Sequence, residues 1–164
     1  MEEGARHIRC AACHALSKAA LGRARRRKAL GSEEQLSDIV TNICVGTPEG
    51  SEEYPKYPGN PPVWGEMYRT ERDAGSGTWR LKRLGKREPA EERGGGAEYE
   101  QLVMKHAMIS RACKAVIEES EHDLGELVYR MSAGEGRKPH APTAAALAEA
   151  YCEAACAGED KDEL

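Results

Sequence analysis

Six cysteines stand in this 164-residue chain, with Cys10 and Cys13 near its beginning, Cys152 and Cys156 near its end, and Cys44 and Cys113 between them. An even count at such spacings in a short chain reads as a disulfide framework, provided the compartment is oxidising. Six cysteines allow fifteen pairings, so the count alone leaves the connectivity open. A framework of this kind would staple the two ends of the chain together.

The compartment is indicated by Lys161-Asp162-Glu163-Leu164. At a free carboxyl terminus these four residues are an address read by the KDEL receptor, which returns escaped proteins to the endoplasmic reticulum lumen. That lumen is oxidising, which favours disulfides over thiols. Residues 1–25 hold no apolar run able to act as a signal-peptide core, so a leader outside this sequence is expected. No window approaches the length of a transmembrane helix, and none is expected.

Staples are needed because the core is thin. Leu, Ile and Val together number 22, 24 residues are alanine, and Phe is absent. This is less large apolar material than a self-sufficient core normally uses. One domain is expected over 1–164, mainly α-helical, with helical parts at about 7–45 and 98–157. Ile8, Ala12, Leu16, Ala19 and Ala20 follow helical spacing over 7–29, and Gly31 is expected to end that helix. Ser32-Glu33-Glu34-Gln35 is a capping box opening a second helix, whose stripe is Leu36, Ile39, Val40 and Ile43. Six of the eight prolines lie in an insert at about 46–97, expected to be partly disordered. Within it, Glu66–Arg72 and Thr78–Leu84 flank turn-forming residues and predict a β-hairpin. A third helix is predicted from about Glu98 to Met131, with Gly125 as the point where it breaks or bends into two pieces. Thr143 caps a last, alanine-rich helix that Gly158 closes. Residues 159–164 form the retention tail.

Helical geometry narrows the pairings. Cys10 and Cys13 share one face of the first helix, and Cys152 and Cys156 share one face of the last. The rises between them, roughly 4.5 and 6 Å, suit two parallel rungs across antiparallel neighbours. Cys10 then faces Cys156 and Cys13 faces Cys152, leaving Cys44 for Cys113.

With this arrangement the chain resembles the saposin-like framework, and within it the canopy proteins. Cys10-Ala-Ala-Cys13-His14-Ala15-Leu16 is similar to the family's opening segment, and Leu36–Cys44 to its second helix ending in Ile-Cys. Ala112-Cys113-Lys114-Ala115-Val116-Ile117-Glu118-Glu119 is similar to its third-helix stretch. The last two cysteines are closer together than is usual there, and the proline-rich middle departs from the pattern. The resemblance implies a saposin-like bundle of four to five helices with three disulfides and a hairpin insert between helices two and three. It also implies a lumenal co-chaperone that helps client secretory or receptor proteins mature, often beside a lumenal heat-shock chaperone.

Other readings of the same residues compete with this one. Cys10 and Cys13 could form a redox-active pair, since a thiolate near a helix N-terminus is stabilised. A thioredoxin-type enzyme would need an aliphatic strand before Cys10, and none precedes it. Four-thiolate zinc from Cys10, Cys13, Cys152 and Cys156 is disfavoured in an oxidising lumen. Saposin-type lipid binding is the alternative binding function, and it would call for more large apolar residues than the helices offer. Arg23, Arg25, Arg26, Arg27 and Lys28 suit the negative pole of a helix end, or an acidic partner or anionic lipid head group. Trp64 and Trp79 mark a possible partner surface in the insert, the structural reading being that one of them packs over the helices. His14, His106, His122 and His140 have no metal-site spacing, and Glu118–Asp123 lacks a calcium loop. The net charge of −4 carries no basic excess for nucleic acid. No nucleophile elbow, phosphate loop or zinc-protease helix is present, so no catalytic residue, cofactor or metal is expected.

Overall fold

A computed structural model describes residues 2–45, 62–85, 97–132 and 139–157. Among the described residues seven α-helices and one two-stranded sheet follow one another along the chain. They are α1 (Glu2–His7), α2 (Arg9–Arg26), α3 (Glu33–Thr41), a 3₁₀ turn (Val63–Met67), β1 (Tyr68–Arg72), β2 (Trp79–Arg83), α4 (Ala97–Glu119), α5 (Leu124–Ser132), α6 (Ala144–Tyr151) and α7 (Glu153–Cys156). The molecule is mainly helical and carries three disulfides.

Helix α2 occupies the middle and packs against α3, α4 and α6. Its inward face is built from Ala12, Cys13, Leu16, Ala20, Leu21 and Ala24, all buried. The small side chains let neighbouring helices approach closely, so a chain poor in large aliphatics still closes its interior. The bulk comes from Ile8, Leu36, Ile43, Met108, Ile109, Leu124 and Leu147, each less than 2 % exposed.

The helix count exceeds the expected four to five because three expected helices are interrupted. The first does not run over 7–29: α1 precedes it from Glu2, and the chain kinks at Ile8. Nor does Gly31 end it. Helix α2 stops at Arg26, and Lys28 takes the left-handed conformation with φ 52°. The Lys28 N–H donates to the Arg25 carbonyl at 3.2 Å, and the Ala29 N–H to that of Ala24 at 2.8 Å, the Schellman pattern.

The third helix is divided in two, as a break at Gly125 would do, but the interruption lies at residues 120–123, just upstream of that glycine. Asp123 Oδ1 accepts the Glu126 N–H at 2.8 Å, so a side-chain cap starts α5 anew. Gly125 serves packing instead: a Cβ there would lie 3.3 Å from the Leu36 carbonyl, where α5 meets α3. In the last helix, Thr143 Oγ1 accepts the Ala146 N–H as expected. A break at Cys152 then separates α6 from α7. Ser32 likewise caps α3 by accepting the Gln35 N–H.

The hairpin forms where its turn chemistry predicts, with Tyr68 opposite Arg83 at the open end and Arg72 opposite Trp79 beside the turn. Residues 46–61 and 86–96, where the loose parts of the insert were expected, and the tail 158–164 with Gly158 lie outside the described residues.

Candidate functional site

Two disulfides cross from α2 to the end of the chain, Cys10–Cys156 and Cys13–Cys152, with Cα atoms 4.6 and 5.7 Å apart. Cys44–Cys113 fastens the end of α3 to the middle of α4. This is the nested order given by helical spacing. The inner rung is buried, and Ser17 lies against it. Its hydroxyl donates to the Cys13 carbonyl at 2.8 Å and sits 3.6 Å from Cys152 Sγ. The outer rung is half-exposed, with the exposed His14 beside it: the two sulfurs and an imidazole nitrogen lie within 4.8 Å of one another. Cys10 and Cys13 are thus joined across the helices and not to each other. Sulfurs committed to disulfides are neither thiolate nucleophiles nor zinc ligands in this state.

A groove of about 360 Å³ runs along the outer face of α2. On the α2 side it is smooth, because Ala15, Ala19 and Gly22 recur at helical spacing and leave the surface low. Across from them stand Trp64, Met67 and Tyr68, from the 3₁₀ turn and the start of β1. Trp64 and Tyr68 meet edge to face, ring centroids 5.7 Å apart at 81°. Met67, 52 % exposed, offers a thioether to solvent. Four cations rim this apolar surface: Lys18, Arg25 and Arg26 from α2, and Arg83 from β2. Among the described side chains none that lines the groove is acidic. Arg25 reaches the Pro142 carbonyl at 3.3 Å, whereas Lys18, Arg26 and Arg83 have no ion-pair partner among the described residues.

Of the residues read from sequence as partner-binding, the groove therefore gathers Arg25, Arg26 and Trp64. Arg27 points elsewhere: it does not line the groove, although it is exposed. Trp79 sits at the opposite end of the hairpin, its backbone N–H donating to His7 Nδ1 at 3.1 Å and its ring close to Gly4 of α1. Trp64 itself is only 7 % exposed, and its indole N–H donates to the Ile43 carbonyl at 3.1 Å, so it is first a packing residue. Sequence reasoning missed Lys18, Arg83, Met67 and Tyr68. Lys18 was accessible to it, being seven and eight residues before Arg25 and Arg26 on one helical face. Arg83 was not, because its position depends on the hairpin register. The retention residues Lys161–Leu164 lie outside the described residues.

Two further hollows exist among the described residues that bear on the reading. A cleft of about 440 Å³ beside Cys44 is lined by Val40, Val45 and Ile117 together with Lys114 and Glu118. A smaller one, about 70 Å³, lies between Arg9, Glu119 and Tyr151. Arg9 pairs with Glu119 at its edge. Burial pushes the Tyr151 phenol above its ordinary value, with a further push from the Asp123 charge and an opposing hydrogen bond to Ser120. No helix among the described residues is long and apolar enough to cross a membrane.

Compared with family models, with curated proteins and with solved structures, the chain has no match.

Proposed function

We propose that this protein is a folding helper of the endoplasmic reticulum lumen, a co-chaperone of the canopy type within a saposin-like fold. It acts by binding rather than by catalysis, engaging a client secretory or receptor protein or a lumenal heat-shock chaperone. One observation carries the reading: paired bridges join the first long helix to the last, and a third joins α3 to α4, in the nested order of the family it resembles. Disulfides in such number belong to an oxidising compartment. Lys161-Asp162-Glu163-Leu164, taken as an address for the KDEL receptor, supports the endoplasmic reticulum as that compartment. A stapled frame also suits a binding protein, since a surface held rigid in advance loses less entropy when it docks.

Crosslinking in microsomes, with identification of captured proteins, tests the proposal. Secretory or receptor clients, or a lumenal chaperone, should be captured well above a lumenal control protein. Capture equal to the control, or stoichiometric lipid in a native extract of the purified protein, would replace this reading with another. The lipid outcome would favour saposin-type binding, for which the cleft at Val40, Val45 and Ile117 is the available apolar surface.

A further inference from the structure

We infer that the groove along α2 is a docking site for an extended acidic peptide segment bearing alternate apolar side chains. The inference rests on the binding function proposed above and names the chemistry of the partner.

Length comes first. From Ala15 to Arg26 the groove follows α2 for about 16 Å, at 1.5 Å per residue. An extended strand advances about 3.3 Å per residue, so about five residues fit end to end. The hollow, at about 360 Å³, is small and open, with room for a few side chains. A lipid site in the saposin manner would need a deep apolar interior, and this groove is instead shallow and edged by charge. Its apolar part is graded: the low Ala15–Ala19–Gly22 surface admits a backbone, and the Trp64–Tyr68 pair with Met67 receives side chains. Thioethers adapt to varied apolar partners.

Charge comes second. Lys18, Arg25, Arg26 and Arg83 flank the groove on both sides with no carboxylate among its described lining residues, in a chain whose net charge is −4. A positive surface on a negative protein is complementary to carboxylates and repels basic sequences. Guanidinium groups also pair with carboxylates in bidentate fashion, which fixes orientation as well as adding attraction.

The probe is a fluorescein-labelled ten-residue peptide of alternating Glu and Leu, titrated with the oxidised full chain and read by anisotropy. Binding is expected to weaken at least tenfold when Glu is replaced by Gln, when Leu is replaced by Ser, or when salt rises from 0.05 to 0.5 M. The double variant Arg26→Glu/Arg83→Glu should also lose at least tenfold. Both side chains are exposed and away from the core, and retained helicity and mapped disulfides verify its fold. Arg27→Glu, on the same helix end but outside the groove, should change affinity by less than threefold. Equal binding by wild type and the double variant overturns the site. So does tight association with phosphatidylserine vesicles in place of the peptide. A double variant that still captures clients in microsomes leaves the co-chaperone function standing and removes only this groove.

Discussion

The indole N–H of Trp64 donates to the backbone carbonyl of Ile43, 3.1 Å away, one residue before the bridged Cys44. Twenty-one positions of chain separate the two, and this bond fixes where the hairpin segment rejoins the helices. Trp64→Phe keeps most of the ring but leaves the Ile43 carbonyl without this donor, at a cost of about 1 kcal/mol. Trp64→Ala also empties a buried site, and about 3–5 kcal/mol is expected. Denaturant unfolding followed by the hairpin's own signals measures both. Equal stability of wild type and Trp64→Ala would show that this contact does not hold the hairpin.

The two rungs between α2 and the chain end are partly redundant. Cys10–Cys156 and Cys13–Cys152 span sequence separations of 146 and 139 residues. Once either is closed, the other closes a ring of only about seven residues. By chain-entropy scaling the second closure is worth roughly 2 kcal/mol, and the first about 5. Either paired replacement by Ala should therefore lower stability by about 2 kcal/mol, and removal of both by about 7. A full double-mutant series of unfolding free energies tests this, and strictly additive losses would refute the shared-loop account.

Helix α2 closes on a lysine in the left-handed conformation, Lys28 with φ 52°. A side chain there costs about 1 kcal/mol relative to glycine. The buried Ala24 and Ala29 complete the motif around it. Lys28→Gly should accordingly raise stability by about 0.5–1 kcal/mol, seen as a higher melting temperature with unchanged helicity. A lower melting temperature would mean that the Lys28 side chain contributes more than its backbone costs.

The parts of this fold legible in the sequence are those written in local chemistry. Ser32 and Thr143 announce the starts of α3 and α6, and the Asp73–Gly77 turn announces the hairpin. Paired cysteines at helical spacing carry the long-range order that periodicity cannot. The position of the break between α4 and α5, though not the break itself, was obscured because the apolar repeat continues through it, from Val116 and Ile117 to Leu124 and Val128. Asp123 three residues before Glu126 was the available cap signal, and Gly125 drew attention from it. Helix α1 escaped because its buried residues are Gly4 and Ala5, too small to register as an apolar stripe. The groove was half-visible. Arg25, Arg26 and Lys18 share a helical face, but nothing local places Arg83, Met67 and Tyr68 opposite them. That juxtaposition arises only when the insert folds back over α2.

The hairpin turn carries a titratable latch. Asp73 Oδ1 accepts the N–H groups of Ser76 at 2.8 Å and Gly75 at 2.9 Å. The Gly77 N–H closes on the Asp73 carbonyl, and Gly77 takes φ 72°, which glycine allows without a side-chain penalty. The Ser76 amide first, then the Gly75 amide, hold the Asp73 carboxyl below the ordinary carboxylate value, with a smaller pull from Arg80. Because the folded value lies below the unfolded one, near 3.9, the unfolded chain binds the extra proton in that window. The latch therefore contributes fully above about pH 4, and its contribution disappears as pH falls through the lower, folded value. NMR titration of the Asp73 carboxyl, followed also at the Ser76 and Gly75 amides, should give a midpoint below that of an unstructured Asp. Asp73→Asn should remove this acid-dependent component of hairpin stability. A midpoint at or above the unstructured value would show that the two amides do not favour the charged form.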